Sequence, residues 1–216
     1  MAESSKQHGI SLISKGLYRI LSDVLGAECI VKLRRQQWDT VNLLNSCDTS
    51  DSYRITSGSR LEGFDFKSSD VDTMHIARNV SVLTKPTCFY AQQLQSPSIF
   101  VMENEDCSPG FTLIRCLTCD TDNEILYSSL VWKRNYMYLS SSAIVQTFLD
   151  SSIREVHGPC KAGNLLGIDA DHAYTLKCPV WPRKTTPFVN RSIKQGWPPN
   201  DVLRYPMYNR AFFNAW

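Results

Sequence analysis

Residues 57–74 read SGSRLEGFDFKSSDVDTM, in which Gly58 and Ser59 precede two aspartates on alternate positions, Asp70 and Asp72. On a strand, side chains at i and i+2 point to the same face, so these two carboxylates would stand roughly 7 Å apart along one face. They repel each other unless a cation lies beside them, and Mg²⁺ suits oxygen ligands of this kind. The stretch predicts a divalent-metal site; the alternative is a helix cap followed by an edge strand.

The Gly-Ser pair supplies the features of a phosphate-binding turn. A glycine lets the backbone approach a phosphate closely, and the N–H groups at a following helix start bind phosphate oxygens. Ser59 adds a hydroxyl donor, and Ser59 with Glu62 matches a capping box that would begin a short helix. The backbone amides after Gly58 and the Ser59 hydroxyl on one side, with Mg²⁺ on the other, would hold the polyphosphate tail of a nucleoside triphosphate.

A third carboxylate from a neighbouring strand would complete a two-metal site. The strand-like stretch DHAYTLKC begins at Asp171, whereas Asp169 fits the loop before it, so Asp171 is the preferred third ligand. A pair of ions can activate an attacking hydroxyl and neutralise a leaving pyrophosphate. The candidate catalytic and metal-binding residues are therefore Asp70, Asp72 and Asp171, with Gly58 and Ser59 as nucleotide-binding residues.

The spacing of apolar residues predicts an α+β fold. Apolar residues three and four apart, beginning at Ile10, predict a long N-terminal helix that Gly26 interrupts and that ends near Cys47. A short strand is expected around Tyr53, and residues 138–153 read as a helix, whereas HGPCKAGN reads as a loop. Further strand-like stretches lie at 71–76, 80–83, 99–102, 111–117 and in DHAYTLKC. Because crossover helices do not separate the strands regularly, a mixed sheet fits better than a doubly wound parallel one.

Composition restricts the class of protein. Of the 216 residues, 43% are hydrophobic and 20% are charged, which is typical of a globular protein. No run of about 18 apolar residues predicts a membrane span, and the start MAESSKQHGI lacks the apolar core of a signal peptide, so a cytoplasmic or nuclear location is expected. The eight cysteines are then expected to be reduced. Cys116 and Cys119 form a lone C-x-x-C that predicts thiols packed in a strand more than a zinc site.

Several stretches resemble the male-abnormal-21 family of cyclic GMP-AMP synthase-like receptors, within the nucleotidyltransferase superfamily. They are GSRLEGF, SDVDTM, YLSS, HGPC, LKCPVWP and R-x4-GWP. The resemblance runs from about Leu17 to Pro198, and GSRLEGF with SDVDTM is its most specific part. It implies a nucleotidyltransferase sheet braced by a long N-terminal helix and followed by a helical lobe.

The resemblance also implies an organisation and an activity. Residues 1–48 would form the helical segment, 49–180 the nucleotidyltransferase core and 181–216 the start of a helical lobe that this chain would not complete. Active members join nucleoside triphosphates into cyclic dinucleotides after sensing double-stranded DNA or RNA, with release of pyrophosphate. Two alternatives remain: a catalytically inactive scaffold that retains the fold, and a transferase that adds nucleotides to an RNA end.

Several other residues are expected to have structural roles or to lie on the surface. Trp181 and Trp197 are expected to be packing anchors, and His75 is expected to be a sheet residue and not a ligand. Glu62 is expected to cap a helix and not to be a fourth metal ligand. A solvated helix face or contact with nucleic-acid phosphate would explain the cluster Lys32, Arg34 and Arg35. Basic residues also outnumber acidic ones after Lys177, which would suit an anionic partner.

Overall fold

The structure of the protein is a computed structural model, and it describes residues 2–64, 66, 69–84, 96–105, 107–108, 111–148, 155–158, 160–165, 168–178 and 211–214. Trp181 and Trp197 lie outside these residues, as does the segment 181–216 apart from residues 211–214. The expectations for those two tryptophans and for the start of a helical lobe therefore stay predictions.

Two long helices open the chain. They are α1 (Ala2–Leu25) and α2 (Glu28–Ser46), and the break between them falls at Gly26, whose φ of 98° favours glycine. Cys47 is the C-terminal cap of α2. The predicted long helix, its interruption at Gly26 and its end near Cys47 are confirmed.

Eleven strands and three short helices follow in the described part of the chain. The helices are α3 (Gly58–Leu61), α4 (Glu124–Ser128) and α5 (Ser141–Thr147). The strands are β1 (Ser52–Ser57), β2 (Val71–Ala77), β3 (Val80–Leu83), β4 (Ser98–Glu103), β5 (Leu113–Thr118), β6 (Leu130–Lys133), β7 (Tyr136–Leu139), β8 (Glu155–His157), β9 (Cys160–Leu165), β10 (Ile168–Cys178) and β11 (Ala211–Asn214).

The strands form two mixed sheets. The first has the order β1-β2-β10-β9-β8, with β11 paired to β10. In it, β2 and β10 run parallel, whereas the other pairs are antiparallel. The second has the order β3-β4-β5-β7-β6, and only β3 and β4 are parallel. The expected α+β architecture with mixed strand pairing is confirmed.

The main core is built from the second sheet, α4, α5 and one face of the first sheet. Tyr174 and Leu176 of β10 are buried together with Phe100 of β4, Leu126 of α4 and Ile144 of α5. Each buried apolar side chain of this size stabilises the fold by about 1.5–3 kcal/mol. Because side chains alternate along a strand, the odd-numbered positions of β10 point to the opposite face, and Asp171 is one of them.

The sequence prediction was wrong over residues 138–153. Tyr138 and Leu139 belong to β7, which pairs with β6 in a hairpin, so the helix begins only at Ser141. The side chain of Ser140 caps it by accepting a hydrogen bond from the backbone N–H of Ala143 at 3.3 Å. The serines do introduce a helix, but Thr147 ends it, and residues 149–154 lie outside the described part of the chain.

The loop predicted at HGPCKAGN was also wrong. Its residues belong to the hairpin of β8 and β9, and β9 pairs with β10. Gly158, with a φ of 60°, lies in the tight turn of that hairpin, and this turn chemistry suggested a loop. The flanking residues are extended because β8 and β9 pair with each other and β9 also pairs with β10.

The helix α1 keeps many apolar residues exposed, with Ile13 at 73% and Ile20 at 62% of full exposure. None of the described helices combines the length and the apolar character needed to cross a membrane.

Candidate metal centre

Three aspartates meet on the face of the first sheet that points away from the main core. Asp72 lies in β2, Asp171 lies directly beside it in the parallel register of β10, and Asp70 precedes β2 by one residue. One carboxylate oxygen of each lies within 4.8 Å of the others. The parallel pairing of β2 and β10 thus brings together the three acids that the sequence singled out. Such a group of oxygen ligands could hold a divalent cation, although their chemistry does not identify which one.

The electrostatics of the group favour a bound cation. Partial burial raises the pKa of the Asp72 carboxyl, and the charges of Asp70 and Asp171 raise it further. Three carboxylates at this separation repel one another in the absence of a counter-charge. A divalent cation among them would offset both the repulsion and the lost hydration.

Gly58 lies against this group, at the junction of β1 and α3. Its φ is 69°, and a Cβ placed on it would lie 1.8 Å from Oδ2 and 2.7 Å from Cγ of Asp72. Ser57 pairs directly with Asp72 in the β1–β2 register, which explains the close approach. The glycine is therefore required for two reasons: the left-handed backbone and the space that Asp72 occupies.

Ser59 is the second residue of the single turn of α3 and does not form the predicted capping box. The N-terminal cap of α3 is Ser57, without a side-chain cap bond, and Glu62 lies at the other end as the C-terminal cap. The expectation that Glu62 caps the start of this helix was therefore wrong. Its carboxylate instead pairs with Arg35 of α2 at 3.1 Å, and it does not belong to the metal-binding group.

Two arginines of α2 hold the turn that follows α3. Nε of Arg35 donates a hydrogen bond to the backbone oxygen of Glu62 at 2.7 Å. Nη1 of Arg34 donates to the backbone oxygen of Leu25 at 2.6 Å and to that of Gly63 at 3.4 Å. A Cβ on Gly63 would lie 2.6 Å from the backbone oxygen of Val31. These contacts dock α3 on α2 and so fix Gly58 beside Asp72.

The role of Arg34 and Arg35 in bracing α3 was not predicted from the sequence. A solvated face describes Lys32, which pairs with Glu28 one turn earlier at 2.7 Å, but it does not describe Arg34 and Arg35. Their partners are backbone oxygens that become neighbours only in the folded chain. The one available signal was the position of two adjacent arginines on the helix that precedes the Gly-Ser turn.

Arg60 holds the segment that leads from α3 into β2. Its guanidinium donates to the backbone oxygen of Ser69 at 2.8 Å and to that of Asp70 at 3.0 Å. These hydrogen bonds connect the segment just before β2 to α3, and they hold the backbone of Asp70 in place.

Two histidines lie behind the aspartates, on the core face of the same strands. Nε2 of His75 lies 3.1 Å from Nδ1 of His172, and the ring of His75 packs edge-on against Phe148. Burial, together with the nearby charges of His172 and Arg54, lowers the pKa of His75 to about 4. Its place in β2 confirms the prediction of a sheet residue, and it is neutral at neutral pH.

Three half-buried cysteines, Cys116, Cys119 and Cys160, have thiol pKa values that are raised above the usual range. Burial and the charges of Asp171 and Asp72 raise the pKa of Cys160, and burial raises that of Cys116 to about 11. Cys119 shows the same direction, mainly because of burial. A thiolate is the metal-binding form of cysteine, so these shifts weaken a zinc interpretation of the C-x-x-C pair.

A cavity of about 740 Å³ opens beside the aspartates on the side of β9 and β8. Its wall includes Asp70 and Asp171 and continues along Glu155, Asn164 and Asp169. Asp169 accepts a hydrogen bond from Nδ2 of Asn164 at 2.9 Å and is not one of the three clustered acids.

Comparison with known proteins adds no family assignment. No protein-family model matches the chain, and no curated protein matches it significantly. The class of protein must therefore be argued from the site.

Proposed function

We propose that this protein is a metal-dependent nucleotidyltransferase of the type that resembles cyclic-dinucleotide synthases. The observation that carries the proposal is the gathering of three carboxylates, those of Asp72 in β2, Asp171 in the parallel strand β10 and Asp70 just before β2, with Gly58 beside Asp72. ATP and GTP are the proposed substrates, and Mg²⁺ or Mn²⁺ is the proposed cofactor.

The residues have distinct roles in the proposed reaction. A nucleotide hydroxyl attacks the α-phosphorus of a second nucleoside triphosphate, a P–O bond forms, and the bond to pyrophosphate breaks. Asp70, Asp72 and Asp171 would hold the ions, whose chemistry would be to lower the pKa of the attacking hydroxyl and to offset charge on the leaving group. Gly58 and Ser59 lie where the triphosphate would follow the turn into α3. The hydroxyl proton leaves to solvent.

The contribution of the protein would be positional and electrostatic. The carboxylates are held by paired strands and by the Arg60 tie, so they require little rearrangement when the substrate arrives. Double-stranded RNA or DNA is the proposed activator, and the basic residues after Lys177 support an anionic partner.

Incubation with ATP, GTP and Mg²⁺ or Mn²⁺, with and without duplex RNA or DNA, tests the proposal. We expect a dinucleotide product that is lost in Asp70→Asn and Asp72→Asn and retained in Asp122→Asn, an exposed aspartate of another turn. Product that persists in the first two variants would contradict the proposed metal site.

Two other results would replace the proposal with one of its rivals. Elongation of a labelled RNA without a small product would identify a transferase acting on RNA ends. Mg²⁺-dependent triphosphate binding without any product, under all activators, would identify a binding protein that retains the site.

A further inference from the structure

The hairpin of β6 and β7 ends in an exposed tip that is both basic and aromatic. β7 pairs with β5 at Tyr138, opposite Arg115, and the hairpin continues past that pair to a two-residue turn. Residues 131–136, which read VWKRNY, are all exposed. No acidic residue lies in the sequence between Glu124 and Asp150. The hairpin tip, defined as residues 131–136, therefore presents positive charge and aromatic rings to solvent.

The turn of this hairpin holds an arginine in a backbone conformation that is unfavourable for it. Arg134 and Asn135 have φ values of 50° and 65°, so both lie in the left-handed region. Asparagine and glycine are common there, whereas a residue such as arginine costs about 1–2 kcal/mol. Such conformations cluster at binding sites and ligand clamps. Arg134, beside Lys133 in the same tip, is therefore a candidate contact residue.

Tyr136 is an aromatic ring held in place by a cation. Cζ of Arg115 lies 4.7 Å from the centroid of the Tyr136 ring, and Arg115 is ion-paired with Glu103. Glu103 also accepts a hydrogen bond from the hydroxyl of Tyr138 at 2.8 Å. These contacts restrict the ring, although Tyr136 remains 52% exposed. The side chain is therefore a positioned ring that can still stack on a planar group.

Lys133 lies beside this ring on the same face of the hairpin. The two residues are directly opposite each other in the β6–β7 register, which places their Cβ atoms about 4.5–5.5 Å apart. Trp132, which is 74% exposed, points to the other face. A nucleotide joins a planar base to an anionic phosphate, and an aromatic ring beside an ammonium group is complementary to both parts.

We propose that the hairpin tip binds a single-stranded nucleic acid, with Tyr136 stacked on a base and Lys133 and Arg134 in contact with phosphates. The bases of a duplex are stacked on one another, so a protein ring reaches a base face only where the strand is unpaired. A membrane surface is disfavoured, because the charged turn lies in front of the aromatic residues and would have to enter the bilayer first. The hairpin belongs to the second sheet and the metal centre to the first, so this inference goes beyond the proposed function.

Fluorescence anisotropy of labelled oligonucleotides in EDTA tests this inference without any contribution from a metal ion. The probes are uridine RNA and thymidine DNA strands of about ten nucleotides and a duplex of the same length. We expect the single strands to bind roughly tenfold more tightly than the duplex. Tyr136→Ala should weaken single-strand binding by roughly tenfold, whereas Tyr136→Phe, which keeps the ring, should retain it. Tyr18→Ala removes an exposed ring of α1 and is the matched control.

The salt dependence of binding tests the phosphate contacts separately from the stacking. Each lysine or arginine that neutralises a phosphate of a single strand adds about 0.7 to the slope of log affinity against log salt concentration. We expect Lys133→Gln and Arg134→Gln each to reduce the slope by about that amount. Lys15→Gln, which alters an exposed lysine of α1, should leave it unchanged.

Three results would overturn the inference. Equal affinities of Tyr136→Ala and the unaltered chain would show that this ring does not stack on a base. Tighter binding of the duplex than of the single strands would show that the protein contacts phosphates alone. Binding to vesicles of phosphatidylserine and phosphatidylcholine, without binding to any oligonucleotide, would identify the hairpin tip as a membrane contact instead.

Discussion

Gly58 and Asp72 lie so close together that a Cβ on Gly58 would be 1.8 Å from Oδ2 of Asp72. The replacement Gly58→Ala must therefore displace the carboxylate and also occupy a backbone with a φ of 69°. We expect it to lower the free energy of unfolding by at least about 2 kcal/mol and to abolish Mg²⁺-dependent triphosphate binding.

Thermal denaturation and calorimetry measure these two effects. Gly16→Ala is the matched control, because Gly16 lies within α1 and a Cβ there meets no atom within 4 Å. In that helix alanine should be neutral or stabilising by about 0.5–1 kcal/mol. Equal behaviour of the two variants would contradict the importance of the Gly58 contact.

Removing the charge of Asp72 should stabilise the metal-free protein. The pKa of this carboxyl is raised in the folded state, so the folded chain binds more protons than the unfolded one between about pH 4 and that raised pKa, and its stability falls as pH rises through the window. We expect Asp72→Asn to raise the thermal midpoint in EDTA and to remove the rise that Mg²⁺ produces. A lower midpoint in EDTA would show that the three carboxylates do not destabilise one another.

Metal affinity should depend on pH at the same group. A proton on Asp72 competes with the cation, and its raised pKa moves this competition above the pH range of an ordinary aspartate. Mn²⁺ binding followed by electron paramagnetic resonance should weaken on acidification before exposed carboxylates titrate. Affinity that stays constant down to about pH 4 would contradict protonation at this site.

The contact between α2 and α3 should matter more for ligand binding than for stability. Arg35→Ala removes a bond to the backbone of Glu62 and an ion pair with its carboxylate, and both side chains are partly exposed. We expect a loss of up to about 1 kcal/mol in stability and a several-fold weaker Mg²⁺-triphosphate complex. Lys32→Ala breaks an exposed ion pair within α2 and should leave the complex unchanged. If calorimetry gave the same triphosphate affinity for the two variants, the contact between α2 and α3 would not contribute to ligand binding.

The pair His75 and His172 predicts a loss of stability in acid. His75 has a pKa of about 4 when folded and about 6.5 when unfolded, so the unfolded chain binds more protons between these values. The stabilising contribution is complete above about pH 6.5 and is lost as pH falls towards 4. Urea denaturation across this window should show a shallower pH dependence in His75→Phe than in His157→Gln, which alters an exposed imidazole.

The sequence predicted those parts of the fold that depend on local patterns. The helices α1 and α2, their break at Gly26 and the strand β3 follow from apolar spacing and one glycine. The β8–β9 hairpin was missed, because β8 has only three residues and Gly158 in the turn suggested a loop. The start of α5 was misplaced because Tyr138 and Leu139 suit either period, and pairing with β6 decides between them.

In the candidate site, too, the sequence predicted what local patterns determine and missed what depends on tertiary contacts. Alternate spacing and a following strand were enough to name Asp70, Asp72 and Asp171, and the structure brings these three together. The sequence could not show that Gly58 is required by Asp72, or that Arg34, Arg35 and Arg60 bind backbone oxygens around the turn. Those relations depend on which segments become neighbours after folding.

The parallel pairing of β2 with β10 also sets when the metal centre can exist during synthesis. Asp72 and Asp171 are separated by roughly a hundred positions, a long-range contact of the kind that forms late in folding. A ribosome-bound chain that has not yet emerged past Asp171 holds only two of the three carboxylates. Capture of a cation by all three acids would therefore be withheld from the nascent polypeptide until the segment through Asp171 has been translated.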